Sequence, residues 1–348
     1  MAMTSRERVT RTLRFEGVDR PARDVWTLPA AFFGREAELQ ALLDRYPSDF
    51  GPSGYRDPVD ESPLYEPGYW TDPWGSTWQN IQRGMIGEVK HPALANWADL
   101  AHWQPPYHLL GQGLEEVNRT CAASDRFVHL GLPRPFERLQ FVRGSENVYL
   151  DLAWGVPEVF KLLEMIHDFY LQHLHHVLRT DVDAVFFMDD WGSARALLIS
   201  PAMWATYFKP LYKDYVDLAH AHGKFALMHS DGYILDIYPH LIEIGVDAIN
   251  SQLFCMPIET VGERFRGQIT FWGELDRQHI LPFGTPDDVR AAVQRVRSAL
   301  WDDRGGVIGQ AELNQGYPME NIRAFFEAWW GLPEEPAPAA SATSHRRD

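Results

Sequence analysis

Phe225-Ala-Leu-Met-His-Ser-Asp-Gly-Tyr233 is the stretch from which the fold is read. Phe225 to Met228 are four apolar residues in a row, and turn residues follow them directly. That is the pattern of a buried strand. The strand ends at His229, and Ser230, Asp231 and Gly232 come next. His229 and Asp231 are two apart, so in an extended segment their side chains leave the chain on the same side. An imidazole and a carboxylate converging at a strand end offer a metal ion two ligands. Taken alone, the pair reads better as a His and an Asp hydrogen-bonded in a turn. The other strand ends change that balance.

Working outward, short apolar runs alternate with helical patterns along most of the chain. Strands are expected at residues 24–28, 48–50, 127–131, 184–188, 225–228, 247–250, 268–272 and 306–309. Helices are expected at 4–15, 35–43, 136–152, 157–178, 201–222, 236–244, 258–265, 286–300 and 318–330. Pro201 after Ser200 is a usual helix start. Strands and helices in alternation give a parallel sheet, and eight such units close a (β/α)8 TIM barrel. In that architecture the active site lies at the C-terminal ends of the strands. The rule selects Asp189, Asp190, His229, Asp231, Asn250, Glu274, Asp276, Gln310 and Glu312, most of which directly follow an apolar run.

Residues 52–106 interrupt the alternation with a long segment carrying Tyr65, Tyr69, Trp70, Trp74 and Trp78. Residues 76–80 and 84–90 read as a hairpin within it. A loop of this length is functional or has structure of its own. Trp70, Trp74 and Trp78 are candidates for the apolar wall of a substrate cavity near the barrel mouth. A satellite core under the loop is the equal alternative. The barrel is expected to be one domain over residues 1–332. The tail, 333–348, is Pro, Ala and Ser without core residues and is expected to be disordered.

Composition excludes several function classes. A formal net charge of −16 argues against a nucleic-acid partner, whose phosphates need a basic patch. No apolar run is long enough to span a bilayer, and Met1 does not open a signal peptide. Cys121 and Cys255 are the only two cysteines, so a disulfide framework and an all-thiolate zinc site are both excluded. A cytoplasmic location is the resulting expectation. His173, His175 and His176 sit on a predicted helix between strands, outside the barrel, as do His220, His222 and His240 on theirs.

Several segments together resemble the uroporphyrinogen decarboxylase superfamily over roughly residues 4–330. They include Ser5-Arg-Glu-Arg-Val, Gly17-Val-Asp-Arg-Pro21, Pro135-Phe-Glu-Arg-Leu139 and Val142-Arg-Gly-Ser-Glu-Asn147. Asp189-Asp-Trp-Gly192 with Ile199-Ser-Pro-Ala-Met-Trp204 is close to a specific hallmark of the family. Gly245-Val-Asp-Ala-Ile-Asn250, Trp272-Gly-Glu-Leu-Asp276, Leu281-Pro-Phe-Gly-Thr-Pro286 and Pro318-Met-Glu-Asn-Ile322 add to it.

The resemblance implies one of two activities: cofactor-free decarboxylation of uroporphyrinogen, or zinc-dependent methyl transfer involving corrinoid proteins. The decarboxylase's Arg-Gln-Ala-Gly-Arg motif for substrate anions has no match here, where residues 24–29 read Asp-Val-Trp-Thr-Leu-Pro. A substrate with eight carboxylates needs clustered arginine. Only Arg134, Arg138, Arg143 and Arg195 are candidates near the mouth. The methyltransferase branch has His-x-Cys and a later Cys as zinc ligands. This chain has His229-x-Asp231 in the first place and Glu312 near the second. The implied metal ligands are therefore His229, Asp231 and Glu312, holding zinc or another divalent ion. Oxygen ligands suit a Lewis acid acting on an oxygen atom, which favours C–O cleavage over transfer to a thiol.

The resemblance thus implies a methyltransferase or O-demethylase acting on a small methoxylated or methylated compound, with the corrinoid acceptor on a separate protein. Asp189, Asp190 and Glu274 are the catalytic candidates. Asn250 and Gln310 join the three tryptophans as candidate substrate contacts. The reading admits a homodimer. The alternatives are the decarboxylase and a metal-free binding barrel.

Overall fold

The computed structural model describes residues 3–56, 64–131 and 133–331. Helix α1 (Ser5–Arg14) starts where the Thr4 side chain accepts the Glu7 N–H at 3.1 Å. Strands β1 (Ala22–Arg23) and β2 (Trp26–Thr27) precede helix α2 (Glu36–Arg45). Strands β3 (Gly68–Thr71), β4 (Thr77–Asn80) and β5 (Glu88–His91) form an antiparallel sheet of their own. After helix α3 (Val117–Ala122) and strand β6 (His129–Gly131) come α4 (Pro135–Arg143), α5 (Ser145–Trp154) and α6 (Pro157–Val177). Next are β7 (Ala184–Met188), α7 (Pro201–Met203), α8 (Lys209–Ala221), β8 (Phe225–Ser230), α9 (Tyr238–Ile244) and β9 (Ala248–Ser251). The chain continues with α10 (Ile258–Phe265), β10 (Thr270–Glu274), α11 (Ile280–Phe283) and α12 (Pro286–Leu300). It ends with β11 (Val307–Gln310), β12 (Glu312–Leu313) and α13 (Met319–Trp330).

Seven strands make one parallel sheet in the order β1-β11-β10-β9-β8-β7-β6. Alternation along each strand sorts its side chains into two layers. Val185, Phe187, Ala226, Met228, Ile249, Phe271 and Val307 face the helices. Ala22, Ala184, Phe186, Leu227, Ala248, Trp272 and Ile308 face inward, where Phe50 and Phe127 join them. The sheet is curled, because inward rings from distant strands meet. Trp26 lies edge-on to Phe186 at 5.9 Å and to Trp272 at 5.5 Å, and Phe50 stacks on Trp272 at 4.9 Å.

Residues 48–50 lie between the sheet's two edges. The Asp49 N–H donates to the Arg23 carbonyl, the Phe127 N–H to Asp49 and the Gly51 N–H to Phe127. Only a single parallel bridge, Phe50 to Phe127, forms where a strand is expected.

Other expectations are corrected in detail. The first strand is two short ones, because its partner changes from β11 to β12 at Asp24. The ladder itself continues, from Asp24 N–H to Gly309, Trp26 N–H to Ala311 and Leu28 N–H to Leu313. The helix expected at 136–152 breaks at Gly144, whose φ of 89° only glycine adopts readily. The long helix from Pro201 carries a π turn at Trp204–Phe208. Pro210 has no N–H to give to the carbonyl four residues back, so the ladder widens just before it.

The aromatic segment forms three strands rather than two. Its tryptophans pack on the helices: Trp74 meets Phe169 at 4.7 Å, and Trp78 meets Phe141 at 4.8 Å. Trp70 stacks on Trp78 at 5.4 Å. Trp74 belongs to the same buried cluster as the helix-facing residues of the sheet. The turn after β4 reaches back to the loops that follow β2 and β12, with Ala30 N–H donating to Gly84 and Gln82 to Gln315. The expected disordered tail lies outside the described residues. No helix among the described residues is long and apolar enough to cross a membrane.

Trp272 fills the centre of the inward layer and is fully buried. Trp272→Ala should lower the unfolding free energy by about 3–5 kcal/mol, read from denaturant melts. A change under about 1 kcal/mol would mean that the inward layer is not a packed core.

Candidate active site

The parallel register aligns Met188, His229, Asn250, Trp272, Ile308 and Ala22 in one row across six strands. Two residues further along the same strands stand Asp190, Asp231, Gln252, Glu274, Gln310 and Asp24. Every one of these six carries a hydrogen-bonding side chain. The row below is mostly apolar, so polarity begins abruptly at the C-terminal end of the sheet.

His229 is buried at the centre of this polar end. Its Nδ1 lies 2.6 Å from Asn250 Oδ1, while Asn250 Nδ2 donates to the Trp272 carbonyl at 2.8 Å. The second bond makes Oδ1 the acceptor, so Nδ1 carries the proton and Nε2 is turned outward. Nε2 lies 3.4 Å from Asp190 Oδ1 and 3.5 Å from Asp231 Oδ1. Burial works against a charged imidazole here, but Asp190, Asp231 and Asn250 outweigh it and raise His229 to about 9. Burial likewise opposes ionised Asp190, yet His229, the Asp231 N–H and Arg277 hold its carboxyl below the ordinary value.

Among the described residues, Asp190, His229 and Asp231 form the group whose ligand atoms lie close enough together to share an ion. Bonds of about 2.1 Å in a tetrahedron place ligand atoms about 3.4 Å apart, close to the two separations from Nε2. Asp231 Oδ1 is buried and has no hydrogen-bond partner. The donor set, one imidazole nitrogen and carboxylate oxygens, fits zinc or a similar divalent ion. The partner on Nδ1 is the support that metal-binding histidines ordinarily have.

Glu312, expected as the third ligand, is not in that group and is paired with Arg277 instead. That arginine was not anticipated, although it directly follows the Trp272–Asp276 motif. Its guanidinium bonds Asp231 Oδ2, reaches Glu312 Oε1 at 3.0 Å and lies 3.2 Å from Glu274 Oε1. Its own carbonyl accepts from the Tyr317 hydroxyl at 2.8 Å. Glu274 is pushed up to about 8 by burial, with Arg277 opposing and Asp231 and Glu312 adding to the rise. Its Oε1 makes no hydrogen bond, the contact to Arg277 being an ion pair without donor geometry. Gln310 is buried with both amide atoms unpartnered. Each such atom costs about 1–3 kcal/mol when nothing pairs it.

The two adjacent aspartates take different roles. Asp190 faces His229. Asp189 faces the helices and caps α4, accepting the Phe136 N–H at 2.9 Å and the Glu137 N–H at 2.7 Å. The Tyr212 hydroxyl also donates to it, and Trp191 Nε1 donates to Tyr212 at 3.0 Å. Glu137, on the first turn of α4, was also missed. Burial lifts it to about 7, and it feels Asp190 and His229. Asp276 closes a local turn by accepting the Gln278 and His279 N–H groups. Trp74 and Trp78 pack on Phe169 and Phe141, and Trp70 stacks on Trp78.

Two glycines hold the aspartates in place. Gly192 N–H donates to the Asp231 carbonyl at 3.1 Å and Tyr233 N–H to Ser193 at 2.7 Å, so the two loops lie back to back. A Cβ on Gly232, whose φ is 78°, would meet the Gly192 carbonyl oxygen at 2.2 Å. Gly232→Ala should therefore destabilise the protein by at least about 1 kcal/mol in denaturant melts. An unchanged midpoint would show that the loops are not locked.

A second expectation concerns pH. The folded protein holds the Glu274 proton up to about 8, against 4.5 for the ordinary side chain. Its contribution to stability is complete below the unfolded value and is lost as pH rises through about 8. Relative to wild type, Glu274→Gln should gain stability between about pH 5 and about pH 9 in urea melts. A flat difference across that range would mean that Glu274 is ionised throughout.

Comparison with known proteins bears on the fold and the family. A methyltransferase from Methanosarcina mazei superposes with a TM-score of 0.71 at 15% identity, covering 94% of this chain and 99% of that one. At that identity the likeness is one of fold. A B12-independent methionine synthase from a Shewanella species gives 0.42 at 11% identity, over 86% of this chain and 85% of that one, and carries no argument. No curated protein matches the sequence. The profile of the family described as uroporphyrinogen decarboxylase (URO-D) matches residues 88–330, a span that holds every polar strand end except Asp24. With most of the chain and nearly the whole polar end inside that match, the protein belongs to the uroporphyrinogen decarboxylase family.

Proposed function

We propose that this chain is a metal-dependent methyltransferase that takes the methyl group of a small methoxylated or methylated compound and passes it to a corrinoid on a separate protein. The observation that carries the reading is the convergence of Asp190, His229 and Asp231, with Asn250 turning Nε2 of His229 toward both carboxylates. Residues 48–50 are read as the eighth strand of one (β/α)8 barrel, whose mouth then holds this cluster. Zinc, held by Asp190, His229 and Asp231, would supply Lewis acidity toward the substrate oxygen. A cytoplasmic site of action belongs to the same reading.

The remaining chemistry falls to the chain. Asn250 fixes the His229 ring, and Arg277 holds Asp231 by one oxygen, which leaves the other toward the cluster. A reduced corrinoid would accept the methyl group released from the methyl–oxygen bond, and the leaving oxygen then needs a proton. Glu137, raised to about 7 beside Asp190 and His229, is suited to give it. Asp189 acts as the cap that positions Glu137.

The decarboxylase alternative needs cations that are free to bind a polyanion. Arg277 is shared among three carboxylates, Arg138 lies 3.3 Å from Asp72, and Arg143 is bound to Asp151 at 2.8 Å. These commitments favour methyl transfer.

Purified protein should carry about one zinc or equivalent divalent ion per chain by elemental analysis. His229→Ala and Asp190→Ala should each lose it, while Glu312→Ala should keep it. The wild type, and not its chelator-treated form, should methylate a reduced corrinoid from a panel of methyl ethers and amines. Metal retained by His229→Ala, or carboxylate loss from uroporphyrinogen without methyl transfer, would refute the assignment.

A further inference from the structure

Gln310 is 1% exposed, and neither its Nε2 nor its Oε1 has a hydrogen-bond partner. Its direction is set by its neighbours. Ile308 packs in the inward layer, and a Cβ on Gly309 would strike Trp329 on the helix side. Gln310 therefore points inward, at the level of Glu274, its register partner on β10. Glu274 Oε1 has no hydrogen bond either. Glu274 also lines a surface cavity with Gln252, Phe254, Cys255, Asp276 and Arg277, whose lining stops short of Gln310.

We propose that Gln310, with Glu274 beside it, is the recognition edge for a substrate bearing a carboxamide or lactam. The proposal rests on the preceding reading only in taking the barrel mouth as the substrate site. An unpaired primary amide offers a donor and an acceptor side by side. A carboxylate would use the donor alone, leave Oε1 unpaired and face Asp231, Glu274 and Glu312. An ammonium ion would use the acceptor alone. A carboxamide or lactam edge meets both atoms at once with no net charge. Sites built to hydrogen-bond a group reject the analogue that lacks it far more strongly than apolar sites reject a change of size.

Three five-membered rings of similar shape test this: 2-pyrrolidone, cyclopentanone and pyrrolidine. Their binding to the full chain is read by ligand-observed NMR, with and without prior chelator treatment. The wild type should bind 2-pyrrolidone about tenfold more tightly than either of the others in both preparations. Gln310→Met should erase that preference without lowering the melting temperature, because it removes two unpaired buried atoms and keeps the volume. Equal binding of the three rings, binding of none, or a preference that survives Gln310→Met would overturn the proposal. So would a lowered melting temperature with the preference intact, the signature of an amide serving only the fold. Lactam preference in a protein that carries no metal would sustain this inference while the metal reading fell.

Discussion

Side chains two residues apart on a strand point the same way, and a parallel sheet carries that phase from strand to strand. Once Leu227, Trp272 and Ile308 are committed to the inward layer, His229, Glu274 and Gln310 must point inward as well. A slip of one residue in β8 would send His229 to the helix side and Met228 into the mouth. The stacked and edge-on rings of Phe50, Trp26, Phe186 and Trp272 are too bulky to let such a slip repack. Aromatic packing below thus fixes the aim of the polar groups above.

That polar end carries more carboxylates than cations. Asp190, Asp231, Glu274 and Glu312 converge on His229 and Arg277. Burial makes such a concentration of negative charge costly, and the structure answers in two ways. Glu274 and Glu137 are raised toward neutrality, to about 8 and about 7. The others share a cation. Arg277 serves Asp231, Glu274 and Glu312, while Asp190 and Asp231 both face Nε2 of His229.

The surrounding shell shows how the outer packing supports the chemistry. Asp189 lies on the helix side of β7, where it ties that strand to the first turn of α4 and so sets the position of Glu137. Trp191 and Tyr212 complete the tie, and the π turn at Trp204–Phe208 lies just before the helix that carries Tyr212. Close contact between Gly192 and Gly232 then locks the loops that carry Asp190 and Asp231. None of these groups touches the space between His229 and the two carboxylates, yet each restricts a group that does.

The parallel alternation, the strand ends and the shared aim of His229 and Asp231 were all legible in the residues. A buried run followed by a turn is a local pattern, and alternation along one strand is set by its own backbone geometry. The choice between Asp189 and Asp190 was not legible, because adjacent residues face opposite ways and only the register with β8 says which way is inward. Arg277 was missed for a related reason: a charged residue in a loop after a strand looks like solvated surface until three carboxylates from three strands are seen around it. Glu312 looked like a ligand because the resemblance put it near the family's later Cys, but in the fold it pairs with Arg277 and is not in the group with His229. The tryptophans of residues 52–106 looked equally fit for a cavity wall or a satellite core, since apolar rings have no direction in sequence; the faces of α4 and α6 decided where they pack. Local rules give each strand its phase and its polar end, and long-range packing alone decides which polar ends meet.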